Sequence, residues 1–490
     1  MSLFEINEFY PHPAHKDRIQ RYQLHKRLFK GDHFAILESH LNRYQLNQYY
    51  IAVNMAGIIC KKSADFLFGE TPVFSAGNAD NSPEQKAIER LVADNDLNIT
   101  NYESALANSY RGDSFYKIRW GQRYGGLIPV QADSYRTIIE SQNAEYVFPE
   151  ASLTDANTII AYHVAFPQLV EHTKGEEWIL HVESHYAGMI TYRKFRMNPI
   201  SYAPGTNEVS QWKIYAEITE ARNAITTGVP FPLIVHVPNY SVDDDWQGID
   251  DLTEHLGMFT EINNRISKIA EILDKHSDPA MAVPSGSLGE DDNGQPVFRA
   301  GRDKIFEVMD KAEVVPQYIT WNGQLDAAFK ELEKLIDIIL MNAEIPPVAL
   351  GRDNSGTSGA SGLSVKWRMN SLLAKINRKR QYYEKGLKRL LLTAQLLEHA
   401  HSDEKLDYQV VTPIIKFKDG LPDDDMEQAS IKQVRTGGKA TQSQLSAIME
   451  LNGCTEEQAH IELARIREEE KTEGFVKSSV FNDTDEGGDE

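Results

Sequence analysis

The stretch from Leu252 to about Glu398 constrains this chain more than any other part of it. Leu252, Leu256, Phe259, Ile262, Ile266, Ile269 and Leu273 recur at spacings of three and four, which puts them on one face of an α-helix. The helix so predicted, Leu252–His276, spans about 37 Å at ~1.5 Å per residue. A second stripe, Leu325, Phe329, Leu332, Leu335, Ile336, Ile339 and Leu340, predicts a helix over Gln324–Ala343 that Pro346-Pro347 stops. Between them Ala280–Trp321 is turn-rich, with a hairpin signal at Asp292-Asn293-Gly294 and a short strand at Pro296–Arg299. Two helices that leave a body, carry a small excursion and return form a stalk. No common enzyme is built this way.

The return leads into Gly351–Gly362, GRDNSGTSGASG, too rich in Gly and Ser to hold one conformation alone. A long helix follows, Leu363 to about Glu398. It carries Lys366, Arg368, Lys375, Arg378, Lys379, Arg380, Lys385, Lys388 and Arg389 against only Glu384 and Glu398, with Gly386 as a candidate kink. Two readings of this helix stand: its cations pair with acidic surface of the same or a neighbouring subunit, or they meet phosphates. Lys330 and Lys334, one turn apart on the second stalk helix, either face a channel or are simply solvated.

Charge bears on that choice. The formal net charge is −21 over 490 residues, whereas a protein that grips DNA by its phosphates is normally basic. The acidity argues against a simple DNA-binding module. It is compatible with a wall that encloses DNA and lets it slide, because like charge prevents sticking. Hydrophobic residues at 41% and charged residues at 25% are ordinary for a folded soluble protein, and the length allows two to four domains. Two cysteines, Cys60 and Cys454, supply neither a disulfide framework nor a zinc constellation, and fit a reducing cytoplasm. Met1–Asp17 holds no apolar run, so no signal peptide is expected, and nowhere do some ~18 uninterrupted apolar residues predict a membrane span.

The body ahead of the stalk begins helical, from Pro13 to Gly69 with a polar break at Gly31-Asp32. Further helices are predicted at Ser82–Asp94 and Asn101–Tyr110. From Phe115 to Val237 the pattern turns to period two with β-branched and aromatic residues. The predicted strands are Phe115–Trp120, Leu127–Gln131, Thr158–Phe166, Trp178–Ser184, Ile190–Phe195 and Gln211–Ile218, followed by a loop over Val235–Asp250. This makes a mixed α+β body with an antiparallel sheet. Asp407–Lys418 reads as a strand returning to it. Met426–Gln433, Ser443–Gly453 and Thr455–Lys471 form a separate small helical unit, and the polar acidic tail beyond it is expected to be disordered.

Several motifs invite chemistry and do not carry it. The Gly-rich loop lacks the Gly-Lys-Ser/Thr ending of a phosphate-binding loop. His181 and His185 flank Glu183, but Trp178-Ile179-Leu180 reads as strand, where four residues span about 13 Å and cannot share a metal. Asp243, Asp244 and Asp245 would need further carboxylates to make a two-metal nuclease site. Asp423, Asp424 and Asp425 read as caps of the terminal helical unit. Arg111-Gly112-Asp113 spells an integrin-binding tripeptide but reads as a helix stop.

In order along the chain, four stretches resemble the portal protein of tailed bacteriophages, of the siphophage type. They are Asn54–Ser75 (NMAGIICKKSADFLFGETPVFS), Tyr110–Trp120 (YRGDSFYKIRW), Gly248–Pro284, and Ser358–Leu397 with its loop and basic helix. The likeness spans about residues 40–400. It implies an α+β portal-type subunit with a mixed α/β wing, a two-helix stem, a small α/β clip, a long kinked helix and a helical C-terminal crown. On this chain those are the wing at 1–250 with 362–420 returning to it, stem helices at 251–276 and 324–346, the clip at 277–323, a tunnel loop at 347–361, the long helix at 362–398, the crown at 421–474 and a disordered acidic tail at 475–490. The resemblance also implies a homo-oligomeric ring, usually of twelve subunits, around double-stranded DNA at one capsid vertex. Terminase, head–tail adaptor, scaffolding and major capsid proteins would be its partners. It would be a virion component assembled in the host bacterial cytoplasm, with no catalytic residue, cofactor, metal or membrane. The DNA-proximal candidates are Asn354, Ser355, Gly356, Thr357, Ser358, Gly359, Ala360 and Ser361, with Lys330 and Lys334 as candidate channel-lining residues. Two other functions compete: a metal-dependent nuclease using the acidic clusters, and another ring-forming virion protein without a DNA role.

Overall fold

The computed structural model describes residues 3–33, 50–77, 81–125, 127, 129, 132–155, 158–172, 175–202, 209–242, 245–277, 280–284, 305–308, 317–319, 325–352, 362–402, 405–418, 420, 425–437, 440–452 and 456–480. The chain divides into two units. One comprises Met1–Asn354 with Arg368–Gly420, the other Ser355–Trp367 with Leu421–Glu490. It is a mixed α+β protein, as its period-two and period-3.6 segments predict.

The strands of the first unit are β1 Phe9–Tyr10, β2 Val73–Ser75, β3 Asp113–Gly121, β4 Arg136–Gln142, β5 Val147–Ala151, β6 Ile159–His172, β7 Gly175–Tyr186 and β8 Met189–Tyr202. They continue with β9 Val209–Glu217, β10 Asn223–Thr226, β11 Ile234–Pro238, β12 Ala280–Pro284, β13 Ile305–Val308, β14 Gln317–Ile319 and β15 Ile414–Lys416. A seven-stranded antiparallel sheet runs β1-β9-β8-β7-β6-β5, with β10 also on β8. Alternation gives it two distinct faces. One packs Leu180, Val182, Phe195, Met197 and Ile214 against Phe4, Tyr10 and Phe148. Val164 on the other joins Tyr22, Phe115, Val147 and Ile234, and so reaches the three-stranded sheet β11-β3-β4.

Strands β4 and β11 are not in the sequence prediction. The strand read at Leu127–Gln131 lies mostly outside the described residues; β3 pairs with β4, Phe115 with Gln142 and Gly121 with Arg136. The buried Asp133 carboxylate accepts the backbone N–H groups of Arg123 and Tyr124 at 3.0 and 2.8 Å. Leu127 is 88% exposed. The segment read as loop from Val235 opens with β11, which pairs with β3 from Ile234↔Lys117 to Pro238↔Asp113.

The helices form where caps and apolar stripes predict them. Asn54 caps Met55–Phe68 by accepting the Gly57 N–H at 2.8 Å, and Ser82 caps Pro83–Asp94 through Gln85 N at 3.2 Å. Leu97–Arg111 ends at Gly112, whose φ of 89° favours glycine. The stalk helices are Leu256–Ser277, preceded by a 3-10 turn at Thr253–His255, and Leu325–Asn342. Between them β12 pairs parallel with β13 and antiparallel with β14. The predicted hairpin at Asp292-Asn293-Gly294 lies outside the described residues.

The long helix is interrupted at Met369, between Gly362–Arg368 and Asn370–His401. It runs unbroken through Gly386, so the kink position expected there is not where the helix breaks. A Cβ at 386 would lie 2.4 Å from Val237 Cγ2. Glycine stands there to let the helix meet β11 closely. The second unit contributes helices Asp425–Thr436, Gln444–Asn452 and Glu456–Val480, the last running past its expected end at Lys471.

Candidate functional site

The residues that tie the stalk to the body sit at Asp250 and Asp251. Asp250 holds the 3-10 turn that leads into the first stalk helix. Its Oδ1 accepts the N–H groups of Leu252 and Thr253 at 2.8 and 2.7 Å, and its Oδ2 accepts Thr253 Oγ1 at 2.8 Å. A carboxylate at this end also complements the helix dipole. His25 braces it, with Nδ1 3.5 Å from Asp250 Oδ1 and 2.9 Å from the Tyr110 carbonyl.

Asp251 is buried and collects partners from four other segments. Oδ2 accepts from Lys379, from Ser109 and, at 3.2 Å, from Ser63. Oδ1 accepts Asn239 Nδ2 at 3.1 Å and lies 3.4 Å from Lys375 Nζ. Burial by itself would raise this carboxyl's pKa. The charges of Lys375 and Lys379, with the hydrogen bonds from Lys379 and Ser109, overcome that and hold it well below the usual carboxylate range. Burial brings the Lys379 ammonium down to about 8 against the pull of Asp251. The neighbouring Cys60 thiol is pushed up to about 12 by burial, so it stays protonated and unreactive near neutral pH.

The same lysine face reaches the second stalk helix. Lys375 Nζ donates to the Ala343 carbonyl at 3.1 Å, just past the helix end at Asn342. There a cation meets the negative end of the helix dipole. Arg378 Nη2 donates to both Glu344 carboxylate oxygens at 2.6 and 2.7 Å. One helix therefore grips the roots of both stalk helices.

These contacts bear on the two readings of the basic helix. Lys375, Arg378 and Lys379 are engaged inside the body. Arg380 Nη2 donates to the Phe66 carbonyl at 3.1 Å, Lys388 pairs with Glu384 at 2.6 Å, and the Arg389 guanidinium lies over the Phe231 ring. Pairing within the chain accounts for this part of the helix; Lys385 is left exposed. The sequence did carry a signal for the grip: Lys375 and Lys379 are four apart on one helix face. Their meeting with Asp251 was not legible.

The other predicted positions separate. Lys330 and Lys334 are both exposed on the second stalk helix. Asn354–Ser361 lies outside the described residues, as do Asp243 and Asp244. Asp245 accepts the Gln247 N–H at 3.2 Å, a loop role. His181 and His185 lie on β7, where His181 stacks on Phe166 with ring centroids 5.0 Å apart and His185 sits buried 3.1 Å from Glu183. Among the described residues no group of three or more His, Cys, Asp or Glu converges as a metal site, and no helix is long and apolar enough to cross a membrane.

Arg111-Gly112-Asp113 is an internal corner. A Cβ on Gly112 would lie 2.4 Å from the Gly248 carbonyl oxygen. Asp113 is buried and accepts from Tyr22 and, at 2.8 Å, from Gly248 N, with His236 Nε2 at 2.7 Å. The corner therefore packs the strand start against the approach to the stalk.

The family described as phage portal protein, SPP1 Gp6-like, matches residues 11–474, nearly the full chain. No curated protein matches it.

Proposed function

The chain belongs to the SPP1 Gp6-like family of phage portal proteins, structural components of the virion, and from that membership we propose that its copies close into a twelve-subunit ring at one capsid vertex. Double-stranded DNA passes through this ring on packaging and on ejection. The wing, stem, clip, tunnel loop and crown occupy the ranges assigned above. Terminase and head–tail adaptor proteins dock on the ring, and scaffolding and major capsid proteins surround it. The Gly/Ser loop Asn354–Ser361 lies nearest the DNA, and Lys330 and Lys334 face the channel. Contact is to phosphates and reads no sequence. Family membership lends no support to the nuclease alternative.

One observation carries the ring. The apolar stripes of the stalk are covered at the root and bare away from it. On the first helix Phe259, Ile262 and Ile269 are 1, 0 and 7% exposed, but Leu273 is 47% exposed. On the second, Ile339 and Leu340 are 0 and 2% exposed, but Phe329 is 43% exposed. A single copy leaves this surface wet. Lateral packing of neighbouring stalks covers it through a closed heterologous interface.

The test is the mass of the purified protein by light scattering, with negative-stain images of the same fraction. A ring with a central hole supports the proposal and counts its subunits. A well-behaved monomer at micromolar concentration contradicts it.

A further inference from the structure

The first stalk helix, Leu256–Ser277, carries two buried polar side chains one turn apart, Asn263 and Ser267. Both meet an extended segment of the body, Tyr50–Asn54, that belongs to no strand or helix. The Ile51 N–H donates to Ser267 Oγ at 2.9 Å, and the Val53 N–H donates to Asn263 Oδ1 at 2.8 Å. Asn263 Nδ2 in turn donates to the Tyr50 hydroxyl at 3.3 Å. The spacing matches physically: an extended chain advances about 6.6 Å over two residues and a helix about 6 Å over four. The segment therefore runs as a strap along the helix, antiparallel to it. It grips the helix roughly 10–17 Å past its start at Leu256. The following residue fixes the strap in the body. Asn54 caps the helix Met55–Phe68 and donates from Nδ2 to the Phe29 carbonyl at 3.0 Å.

The strap buries little: Ile51 is 41% exposed, Ala52 is exposed, and Tyr50 and Val53 are half-buried. On lifting, the Ile51 and Val53 amides meet water, and the Ser267 hydroxyl keeps its bond to the Asn263 carbonyl at 2.7 Å. The helix beneath it, by contrast, buries Phe259, Ile262 and Ile269. A segment this exposed opens locally, ahead of the core it lies on. We propose that Tyr50–Asn54 is a releasable clasp on the stalk. Closed, it ties the first stalk helix to the body as far as Ser267. Open, it returns the hold to the root at Asp250 and Asp251, about which the helix tilts. The clasp belongs to a single copy and does not rest on the ring.

Hydrogen exchange of the full-length protein, followed by mass spectrometry, tests it. In the wild type, peptides covering 50–54 should exchange more slowly than an unstructured chain but well ahead of peptides covering 256–269. Exchange at the unstructured rate would mean that the strap is not closed, and exchange at the rate of the helix that it is not releasable; either overturns the proposal. Asn263→Ala with Ser267→Ala should speed exchange over 50–54 by about tenfold and leave 55–68 unchanged. No acceleration overturns it, and the wild-type comparison stands even where this variant does not fold. The tilt is read by electron–electron resonance between spin labels at Lys86→Cys, on the body helix Pro83–Asp94, and Lys268→Cys on the stalk, in a Cys454→Ser background with labelled copies diluted by unlabelled ones. The double alanine variant should broaden the distance distribution. A distribution that stays as narrow as in the wild type while 50–54 exchanges faster overturns the role in the stalk.

Discussion

Lys375 and Asp251 stand 3.4 Å apart across the root of the stalk, and the same ammonium donates to the Ala343 carbonyl at 3.1 Å. A single side chain thus touches the start of one stalk helix and the end of the other. The two helices share one anchor and cannot hinge independently of it.

Removing the shared carboxylate should be the costlier change. Asp251→Asn leaves Lys375 and Lys379 buried without a counter-charge and should destabilise the protein by about 3–5 kcal/mol. Lys375→Met should cost less, because Asp251 keeps Lys379, Ser63, Ser109 and Asn239. Urea denaturation of both variants decides the matter; equal losses would contradict the shared-anchor account.

Acid should act in two stages. Burial lowers the His15 imidazole from 6.5 to about 3, so the folded chain keeps it neutral while the unfolded chain protonates it. Its contribution is complete above pH 6.5 and is lost as pH falls from there towards 3. Between pH 6.5 and 5 the stability difference between the wild type and His15→Gln should shrink by about 2 kcal/mol. Asp251 has its pKa depressed below 3.8, so its contribution persists to that pH and is lost below it. A wild-type-to-variant difference that stays flat from pH 8 to 5 would refute the first stage.

Gly386→Ala should destabilise, against the ordinary helix preference for alanine of about 1 kcal/mol. Its new Cβ would meet the buried Val237 Cγ2 at 2.4 Å, and a β-branched residue on a strand has little room to turn away. Val237→Ala should be destabilising alone but should rescue much of the loss in the double variant. A thermal-melt cycle showing strict additivity would exclude this contact as the cause.

Polar substitution of the bare stalk residues should separate folding from assembly. Leu273→Ser with Phe329→Ser should cost isolated subunits only about 1–2 kcal/mol and leave them folded, because both side chains are about half exposed. The same pair should sharply reduce ring yield in light scattering. Unimpaired rings would show that the stalk stripe is not the lateral contact.

The long, regular parts of this chain were readable from its residues alone. The stalk helices declare themselves through seven apolar positions each, and strands β6 to β9 through alternation, because those signals are local and repeat. Even the order of elements was enough to suggest the family that the comparison then established. Other features depended on distant segments meeting. Nothing in the sequence near Arg136–Gln142 says that this segment will pair with β3. Gly386 looks like a kink until Val237, 149 positions earlier, is seen against it. Lys375 and Lys379 could pair with any acidic surface or with phosphate until Asp251 and the Ala343 carbonyl are seen beside them. Periodicity determines which face of an element is apolar, but a charge's partner and a glycine's neighbour lie far along the chain, and only the packed tertiary structure decides them.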